Sequence, residues 1–198
     1  FAAIPRDELP SLRHLVIDGT PTAGAVGFDQ LFAADPALEL EPTSKDDAAF
    51  WLYSSGTTGF PKGAVHLHHD VMHTVVCYAQ GVLGMTAADR TFSVAKLFFA
   101  YGLGNALTFP FAVGATTVLW PGPPTPPNVY AQIDRHKPTL FFSVPTNYGQ
   151  LLAHKRDGAD FDLSSVRQAV SAGEALPKAL YERFKERFGV EILDGIGS

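Results

Sequence analysis

Hydroxyls, glycines and one lysine are concentrated in a short loop between two apolar runs. The loop occupies residues 53–63 and reads Tyr-Ser-Ser-Gly-Thr-Thr-Gly-Phe-Pro-Lys-Gly. Glycine lets the backbone turn sharply and brings N–H groups close to a ligand, while serine and threonine add hydroxyl donors. Lys62 adds a mobile positive charge on a long stem. Because amides, hydroxyls and a cation on one loop suit a polyphosphate, this composition predicts a phosphate-binding loop.

Two other interpretations of this loop have to be considered. A Walker P-loop requires Gly-x-x-x-x-Gly-Lys followed directly by Ser or Thr, whose hydroxyl binds magnesium. Here Pro61 precedes the lysine and Gly63 follows it, so the loop is not a Walker site. The second alternative is a flexible Ser/Thr/Gly hairpin turn that joins two strands, and composition alone leaves it open.

The full ordered string is more specific than its composition. It resembles the phosphate-loop signature of the adenylate-forming superfamily, which contains acyl-CoA synthetases, peptide-synthetase adenylation domains and luciferases. That signature reads aromatic, Ser/Thr, Ser, Gly, Ser/Thr, Thr, Gly, any residue, Pro, Lys, Gly, and residues 53–63 match it at every position. The resemblance implies that the following residues bind the phosphates of ATP: Ser54, Ser55, Gly56, Thr57, Thr58, Gly59 and Lys62.

Two further strings resemble the nucleotide-contacting turns of the same superfamily. Ser-Ala-Gly-Glu-Ala-Leu-Pro at residues 171–177 is also, taken alone, an ordinary strand-to-helix turn whose glutamate favours the helix dipole. Leu-Asp-Gly-Ile-Gly-Ser at residues 193–198 resembles the start of the adenine motif Tyr-Gly-x-Thr-Glu, with an isoleucine in place of the common aromatic residue. The resemblance implies adenine or AMP contacts from Gly173, Glu174, Asp194, Gly195 and Ile196. It places the magnesium-binding glutamate beyond Ser198, so we assign no metal ligand and no certain catalytic residue within the chain.

An aromatic-rich turn, Lys-Leu-Phe-Phe-Ala-Tyr-Gly-Leu-Gly, occupies residues 96–104. Such a turn can wall an apolar slot, although core packing is the preferred interpretation of Phe98 and Phe99. Combined with the turns after residues 171 and 193, the string most resembles the benzoate–CoA ligase branch of the superfamily. The resemblance implies an aryl pocket lined by Ala100, Tyr101, Ala172 and Gly197. Three small residues leave a flat gap that one aromatic ring can close, which agrees with a small aromatic carboxylate as substrate.

The histidines at positions 66, 68, 69 and 73 raise the alternative of a zinc site. His69 and His73 are four residues apart and could share one face of a helix, as zinc ligands do. However, the sequence contains no His-Glu-x-x-His string, and the resemblance gives this stretch no metal role. A polar strand end followed by a helix start is the preferred interpretation.

Composition excludes several classes of protein. The 198 residues carry a formal net charge of −5 and no basic run that could neutralise nucleic-acid phosphates. Cys77 is the single cysteine, which excludes an internal disulfide and suits a reducing, cytoplasmic location. Residues 97–133 carry no charge, but prolines, glycines and polar residues such as Asn105, Thr116 and Thr117 interrupt them. A buried helix followed by a buried strand is therefore predicted there rather than a membrane span. We expect neither a nucleic-acid nor a membrane partner.

Apolar runs alternate with segments of helical spacing along most of the chain. The runs lie at residues 50–53, 64–67, 91–94, 116–119, 140–144, 166–170 and 190–193. Helices are predicted at 70–83, 128–136, 146–154 and 177–188, with Asp70 as the N-cap of the first and Pro177 in the first turn of the last. This alternation indicates an α/β fold with a largely parallel sheet flanked by helices. Ligands gather at the carboxyl ends of such strands, and the phosphate loop is expected to follow one of them.

The resemblance implies an ATP-dependent aryl-CoA ligase, with ATP, Mg²⁺ and CoA taking part and with pyrophosphate and AMP released. The chain begins at Phe1 without Met and stops directly after a strand-like run. We therefore expect residues 1–198 to form part of the large N-terminal AMP-binding domain, without the small C-terminal domain. Two alternatives stay open: a nucleotide- or phosphate-binding module without ligase chemistry, and a piece that is inert by itself.

Overall fold

The computed structural model describes residues 8–33, 39–54, 59–155, 158 and 160–196. It divides into two compact units, the first ending at Thr43 and the second being Ser44–Ser198. In the first unit, the short strands β1 (Val16–Ile17) and β2 (Val26–Gly27) pair in parallel. A 3₁₀ helix at Phe28–Ala33 follows them.

An antiparallel hairpin opens the second unit. Strand β3 (Ala48–Ser54) pairs with β4 (Lys62–Leu67) in a two-stranded sheet of their own. The expectation that the phosphate loop follows a strand of the parallel sheet is therefore wrong. Parallel strands need a crossover of a dozen or more residues, and residues 55–61 are too few for one.

A five-stranded sheet forms the centre of the second unit. Its strands are β5 (Arg90–Ser93), β6 (Thr116–Val118), β7 (Leu140–Ser143), β8 (Gln168–Ser171) and β9 (Ile192–Asp194). They lie in the order β6-β5-β7-β8-β9, and every neighbouring pair is parallel. The predicted α/β class with a largely parallel sheet is confirmed. Strand β7 is buried at all four positions, and β5 and β8 are each buried at three of four, because both faces of these strands are covered.

Six α-helical segments connect the strands in the described part of the second unit. They are α1 (His68–Thr74), α2 (Ala100–Leu103), α3 (Phe109–Val113), α4 (Pro126–His136), α5 (Pro145–Ala153) and α6 (Lys178–Phe188). A π-helical segment, Val75–Gln80, continues α1, and another, Gly104–Thr108, joins α2 to α3. The four predicted helices are present. Within residues 97–133 a buried helical region precedes β6, as expected, and no described helix is long and apolar enough to cross a bilayer.

The roles predicted for Asp70 and Pro177 at their helix starts differ from the structure. Helix α1 begins at His68, so Asp70 is its third residue rather than its N-cap. The Asp70 carboxylate instead accepts the N–H of Leu67 at 2.9 Å, and this hydrogen bond lowers the pKa of Asp70. Pro177 immediately precedes α6 rather than lying in its first turn, while Gly189, at φ +68°, ends that helix.

The two faces of the sheet bury separate apolar clusters. Successive strand residues point to opposite faces, so Phe141 and Phe142 enter different clusters. Phe141 packs edge-on against Tyr148 of α5, which in turn meets Phe184 of α6. Phe142 lies with Val75, at the end of α1, on the other face. Each cluster holds helices against the sheet, so the carboxyl edge of the strands rests on a rigid support.

An ionic network fastens the amino edge of the sheet. Asp89, just before β5, accepts two hydrogen bonds from Arg167, just before β8, at 2.8 and 3.0 Å. Thr139, just before β7, donates its hydroxyl to Asp89 at 2.7 Å. The Asp89 side chain is only 6% exposed. Three neighbouring strands are thus tied together at the edge opposite the one where ligands are expected.

Candidate functional site

Polar residues stand in register at the carboxyl edge of β7, β8 and β9. Ser143 pairs with Ser171, and Ser171 pairs with Asp194. The Ser143 hydroxyl donates to the Asn147 side-chain oxygen at 2.9 Å. The Ser171 hydroxyl is buried and has no hydrogen-bond partner among the described residues. Polar groups at the last position of adjacent parallel strands mark the edge where α/β sheets bind ligands.

The two predicted nucleotide turns are brought together at this edge. The N–H of Leu176 donates to the Asp194 carboxylate at 3.1 Å, and the N–H of Gly195 donates to the Ser171 carbonyl at 2.8 Å. Gly173 adopts φ +88°, a conformation that residues with a side chain rarely take. The strings at 171–177 and 193–196 therefore form one connected surface, although they are far apart in sequence.

Thr146 is a residue of this edge that the sequence did not indicate. It lies in the first turn of α5, and its hydroxyl lies 3.2 and 3.1 Å from the two carboxylate oxygens of Glu174. The Glu174 side chain thus points toward α5. The Pro-Thr pair directly after a predicted strand was the available signal, but nothing local connects it to a residue 28 positions later.

Tyr101 joins the aromatic turn to the same edge. Its hydroxyl lies 3.2 Å from the Ser143 carbonyl and 3.1 Å from the Val170 carbonyl, and burial raises the pKa of this phenol. Its ring meets the Phe142 ring edge-on. Because strand carbonyls accept the hydroxyl proton, Tyr101 can offer a ligand only its ring. The Val170 carbonyl that it contacts lies in β8, two residues before the half-buried Ala172. Ala100 is exposed at the start of α2.

Two aromatic residues of this turn are placed differently from expectation. Phe98 is 75% exposed and Phe99 is 56% exposed, so the core role preferred for them is wrong. Their rings lie 4.5 Å apart. Phe98 borders an apolar cavity of about 740 Å³ that also contacts Ala106 and Trp120. The cavity is not lined by Ala100, Tyr101 or Ala172, and therefore differs from the predicted aryl pocket.

The phosphate loop is described at its two ends. Ser54 and Lys62 are cross-strand partners at the loop end of the hairpin, and Lys62 forms no ion pair with any described residue. Gly59 adopts φ +85°. A Cβ atom on Gly63 would lie 3.2 Å from the Tyr53 ring, which explains a glycine directly after the lysine. Five predicted site residues lie outside the described residues: Ser55, Gly56, Thr57, Thr58 and Gly197.

The histidine-rich stretch is occupied by local contacts. His69 Nδ1 lies 3.2 Å from the Asp46 carboxylate and its Nε2 lies 3.2 Å from Asp70. His73 Nε2 lies 3.7 Å from the sulfur of Cys77. Among the residues that the structure describes, no group of three or more His, Cys, Asp or Glu side chains could hold a metal ion.

Comparison with known proteins identifies the family. The model of the family described as "AMP-binding enzyme" matches residues 3–198. The chain belongs to this family. The family membership inferred from the loop at 53–63 is thereby confirmed. A benzoate–CoA ligase of Thauera aromatica is 50% identical over 195 residues, which are 96% of this chain and 36% of that protein.

Two solved structures share both fold and sequence with the chain. The anthranilate CoA ligase AuaEII, in complex with anthranoyl-AMP, superposes with a TM-score of 0.88 at 46% identity, over 98% of this chain and 38% of that one. A benzoate CoA ligase from Burkholderia xenovorans LB400 superposes with a TM-score of 0.81 at 45% identity, with the same coverages. The chain thus spans just over a third of the length of these family members.

Proposed function

We propose that the chain is part of an ATP-dependent ligase that joins a small aromatic carboxylic acid, benzoate or a close relative, to CoA. The observation that carries this proposal is the meeting of two features at one sheet edge. The turns at 171–177 and 193–196 are hydrogen-bonded to each other, and the Tyr101 hydroxyl donates to the carbonyl of Val170, the residue just before the first turn. A nucleotide surface and an aromatic wall side by side suit an aryl-adenylate. The names of the similar proteins, benzoate– and anthranilate–CoA ligases, support the same class.

The proposed reaction has two steps. An oxygen of the aryl carboxylate attacks the α-phosphorus of ATP, the bond to the β-phosphate oxygen breaks, and pyrophosphate leaves. The CoA thiol then attacks the acyl carbon of the aryl-adenylate, loses its proton, and AMP leaves with the electron pair of the broken bond. The first step brings an anion to a polyanion, so its rate depends on fixed donors that stabilise charge on the phosphates.

The chain's own residues divide this work between the hairpin and the sheet edge. Lys62 and Ser54 lie at the loop end of the hairpin. Together with the loop residues between them, they would contact the β- and γ-phosphates. Magnesium would be held largely by the phosphate oxygens of ATP and would neutralise part of their charge. Tyr101 would line the ring of the acid without offering it a charge, so that no cation competes for the carboxylate.

We further propose that residues 1–198 form part of an N-terminal AMP-binding domain and that a smaller C-terminal domain completes the active site. On this view the chain alone completes neither half-reaction. A nucleotide-binding module without ligase chemistry is the competing function, and it differs in one measurable respect. It would hydrolyse or bind ATP independently of any carboxylic acid.

Benzoate-dependent exchange of pyrophosphate into ATP tests the proposal in the full-length protein. The wild type should catalyse exchange only when the acid is present. Lys62→Ala should reduce the exchange rate by about 100-fold, since it removes a charged donor from the phosphates. Lys178→Ala is the matched control, because Lys178 is 87% exposed on α6 and its ion pair with a described residue is a long one, 3.6 Å from Glu182. Exchange without any acid, or equal exchange in wild type and Lys62→Ala, would refute the proposed role of the loop.

A further inference from the structure

The contact between Thr146 and Glu174 connects two elements that no backbone hydrogen bond joins among the described residues. Thr146 belongs to the first turn of α5, which follows β7, and Glu174 belongs to the turn that follows β8. The hydroxyl proton is shared between the two carboxylate oxygens, at 3.2 and 3.1 Å. The contact therefore holds the middle of the nucleotide turn against α5.

The same turn has a second attachment on its other side. The Leu176 N–H donates to the carboxylate of Asp194, at the end of β9. The turn is thus held at residue 174 toward β7 and at residue 176 toward β9. Gly173, at φ +88°, lies just before the first attachment and permits the backbone to change direction there. Loss of the Thr146 hydroxyl would leave the segment from Gly173 to Ala175 attached at one side only.

The orientation of Glu174 decides what this turn can offer a nucleotide. Its carboxylate accepts the Thr146 hydroxyl, so the donors that this turn can offer a nucleotide are its backbone N–H groups. Among the described residues, the N–H groups of Gly173, Glu174 and Ala175 donate to no backbone carbonyl. Amides that are fixed in position before a ligand arrives cost less ordering entropy on binding.

We propose that Thr146 is a positioning residue for ATP: by holding Glu174, it fixes the backbone of the turn at 172–177 in the conformation that receives the nucleotide. The proposal deepens the function proposed above and rests on it. Thr146 acts through Glu174 and the turn, and it makes no contact with the reacting atoms. Its effect should fall on ATP and on the aryl-adenylate, and should spare the CoA thiol.

Steady-state kinetics of three variants in the full-length protein test this role. Thr146→Val keeps the shape of the side chain and removes the hydroxyl, and should raise KM for ATP about 3- to 10-fold, the range of one net hydrogen bond. The KM for CoA and kcat should stay within about twofold, since a hydroxyl outside the reacting atoms contributes uniform binding. Thr146→Ser restores the hydroxyl and should return KM for ATP to within about twofold of wild type. Thr74→Val is the control, because the Thr74 hydroxyl bonds within α1 to the Val71 carbonyl.

A double-mutant cycle and hydrogen exchange make the route through Glu174 visible. If Thr146 acts through Glu174, Thr146→Val should change KM for ATP no further when Glu174→Ala is already present. Amide exchange of residues 172–177 should rise in Thr146→Val without ATP, and remain at the wild-type rate in Thr74→Val. Equal losses in KM for ATP and CoA, additivity with Glu174→Ala, or a serine variant as impaired as the valine variant would each overturn the proposal. Failure of the proposed function gives a different result, namely no acid-dependent pyrophosphate exchange in the wild type.

Discussion

The Asp89–Arg167 network should make the sheet sensitive to acid in a narrow range of pH. Burial by itself raises the pKa of Asp89, but hydrogen bonds from Arg167, Thr139 and the N–H of Thr86 outweigh it and lower the pKa from 3.8 to about 2. A shift of this size corresponds to about 2 kcal/mol, because one pKa unit is about 1.4 kcal/mol. The folded pKa lies below the unfolded one, so the unfolded state takes up the proton first as the pH falls. The stabilisation is complete above about pH 5 and is lost between about pH 4 and pH 2.

Chemical unfolding at a series of pH values measures this contribution. The wild type should lose about 2 kcal/mol of unfolding free energy from this group between pH 4 and pH 2. Asp89→Asn should be less stable than wild type at pH 7 by at least a similar amount, since Arg167 then faces an amide instead of a carboxylate. Its stability should also fall less steeply between pH 4 and pH 2. Hydrogen exchange of β5 and β7 reports the same change in the full-length protein.

Asp162 supplies a matched control for this prediction. Its pKa is also lowered to about 2, by the hydroxyl and N–H of Ser164 and by Lys137, but the side chain is 56% exposed. Exposed ion pairs are screened by salt and contribute little. Asp162→Asn should therefore change stability only slightly, and less still at high salt. If Asp89→Asn keeps the full wild-type loss of stability below pH 4, the carboxylate of Asp89 is not the responsible group and the reasoning fails.

Two further predictions concern packing and the acid. A Cβ atom on Gly102 would lie 2.0 Å from the Lys96 carbonyl, so Gly102→Ala should lower the free energy of unfolding by about 1–3 kcal/mol. A Cβ atom on Gly149, inside α5, would have no atom within 4 Å, and Gly149→Ala should raise stability by about 0.5–1 kcal/mol. Equal effects of Gly102→Ala and Gly149→Ala in urea unfolding would contradict the placement of α2. Ala100→Phe should narrow the proposed aryl slot and reduce kcat/KM for benzoate at least 10-fold in the full-length protein. The control Ala179→Phe, at the exposed start of α6, should leave kcat/KM for benzoate unchanged. If benzoate turnover survives Ala100→Phe, Ala100 does not line the pocket.

The sequence predicted the parallel sheet well because its signal is local. Each strand of the sheet falls within or beside a short apolar run, and the longer helices α4, α5 and α6 have an apolar repeat or a proline near their start. Helix starts were less accurate, since Asp70 can serve equally as an N-cap or as the third residue of a capping box. The antiparallel pairing of β3 and β4 agrees with the alternative of a hairpin turn and not with the expected parallel strand, because the seven residues 55–61 cannot make a parallel crossover.

The candidate site was predictable as strings but not as contacts. Motifs indicated the residues around Gly173 and Asp194, yet only the register of β8 and β9 shows that the two turns are hydrogen-bonded. The partnership of Thr146 with Glu174 depends on β7 lying next to β8, which no local pattern records. Phe98 and Phe99 were misplaced for the opposite reason. Hydrophobicity predicts burial on average, but it does not identify the aromatic residues that a turn leaves at the surface.

The two edges of the sheet carry different kinds of polar interaction, and this separation can be tested. At the amino edge, every carboxylate oxygen of Asp89 is bound by the protein itself, in contacts that no ligand is needed to complete. At the carboxyl edge, Ser171 is left without a partner among the described residues and the turn beyond it keeps unused amides. Asp89→Asn should accordingly lower stability while leaving KM for ATP unchanged at neutral pH. Thr146→Val should raise KM for ATP while leaving stability unchanged. A variant at either edge that changed both the stability and KM for ATP would mean that the five strands transmit strain along their length. Stabilisation of the sheet and nucleotide binding would then not be separable in this domain.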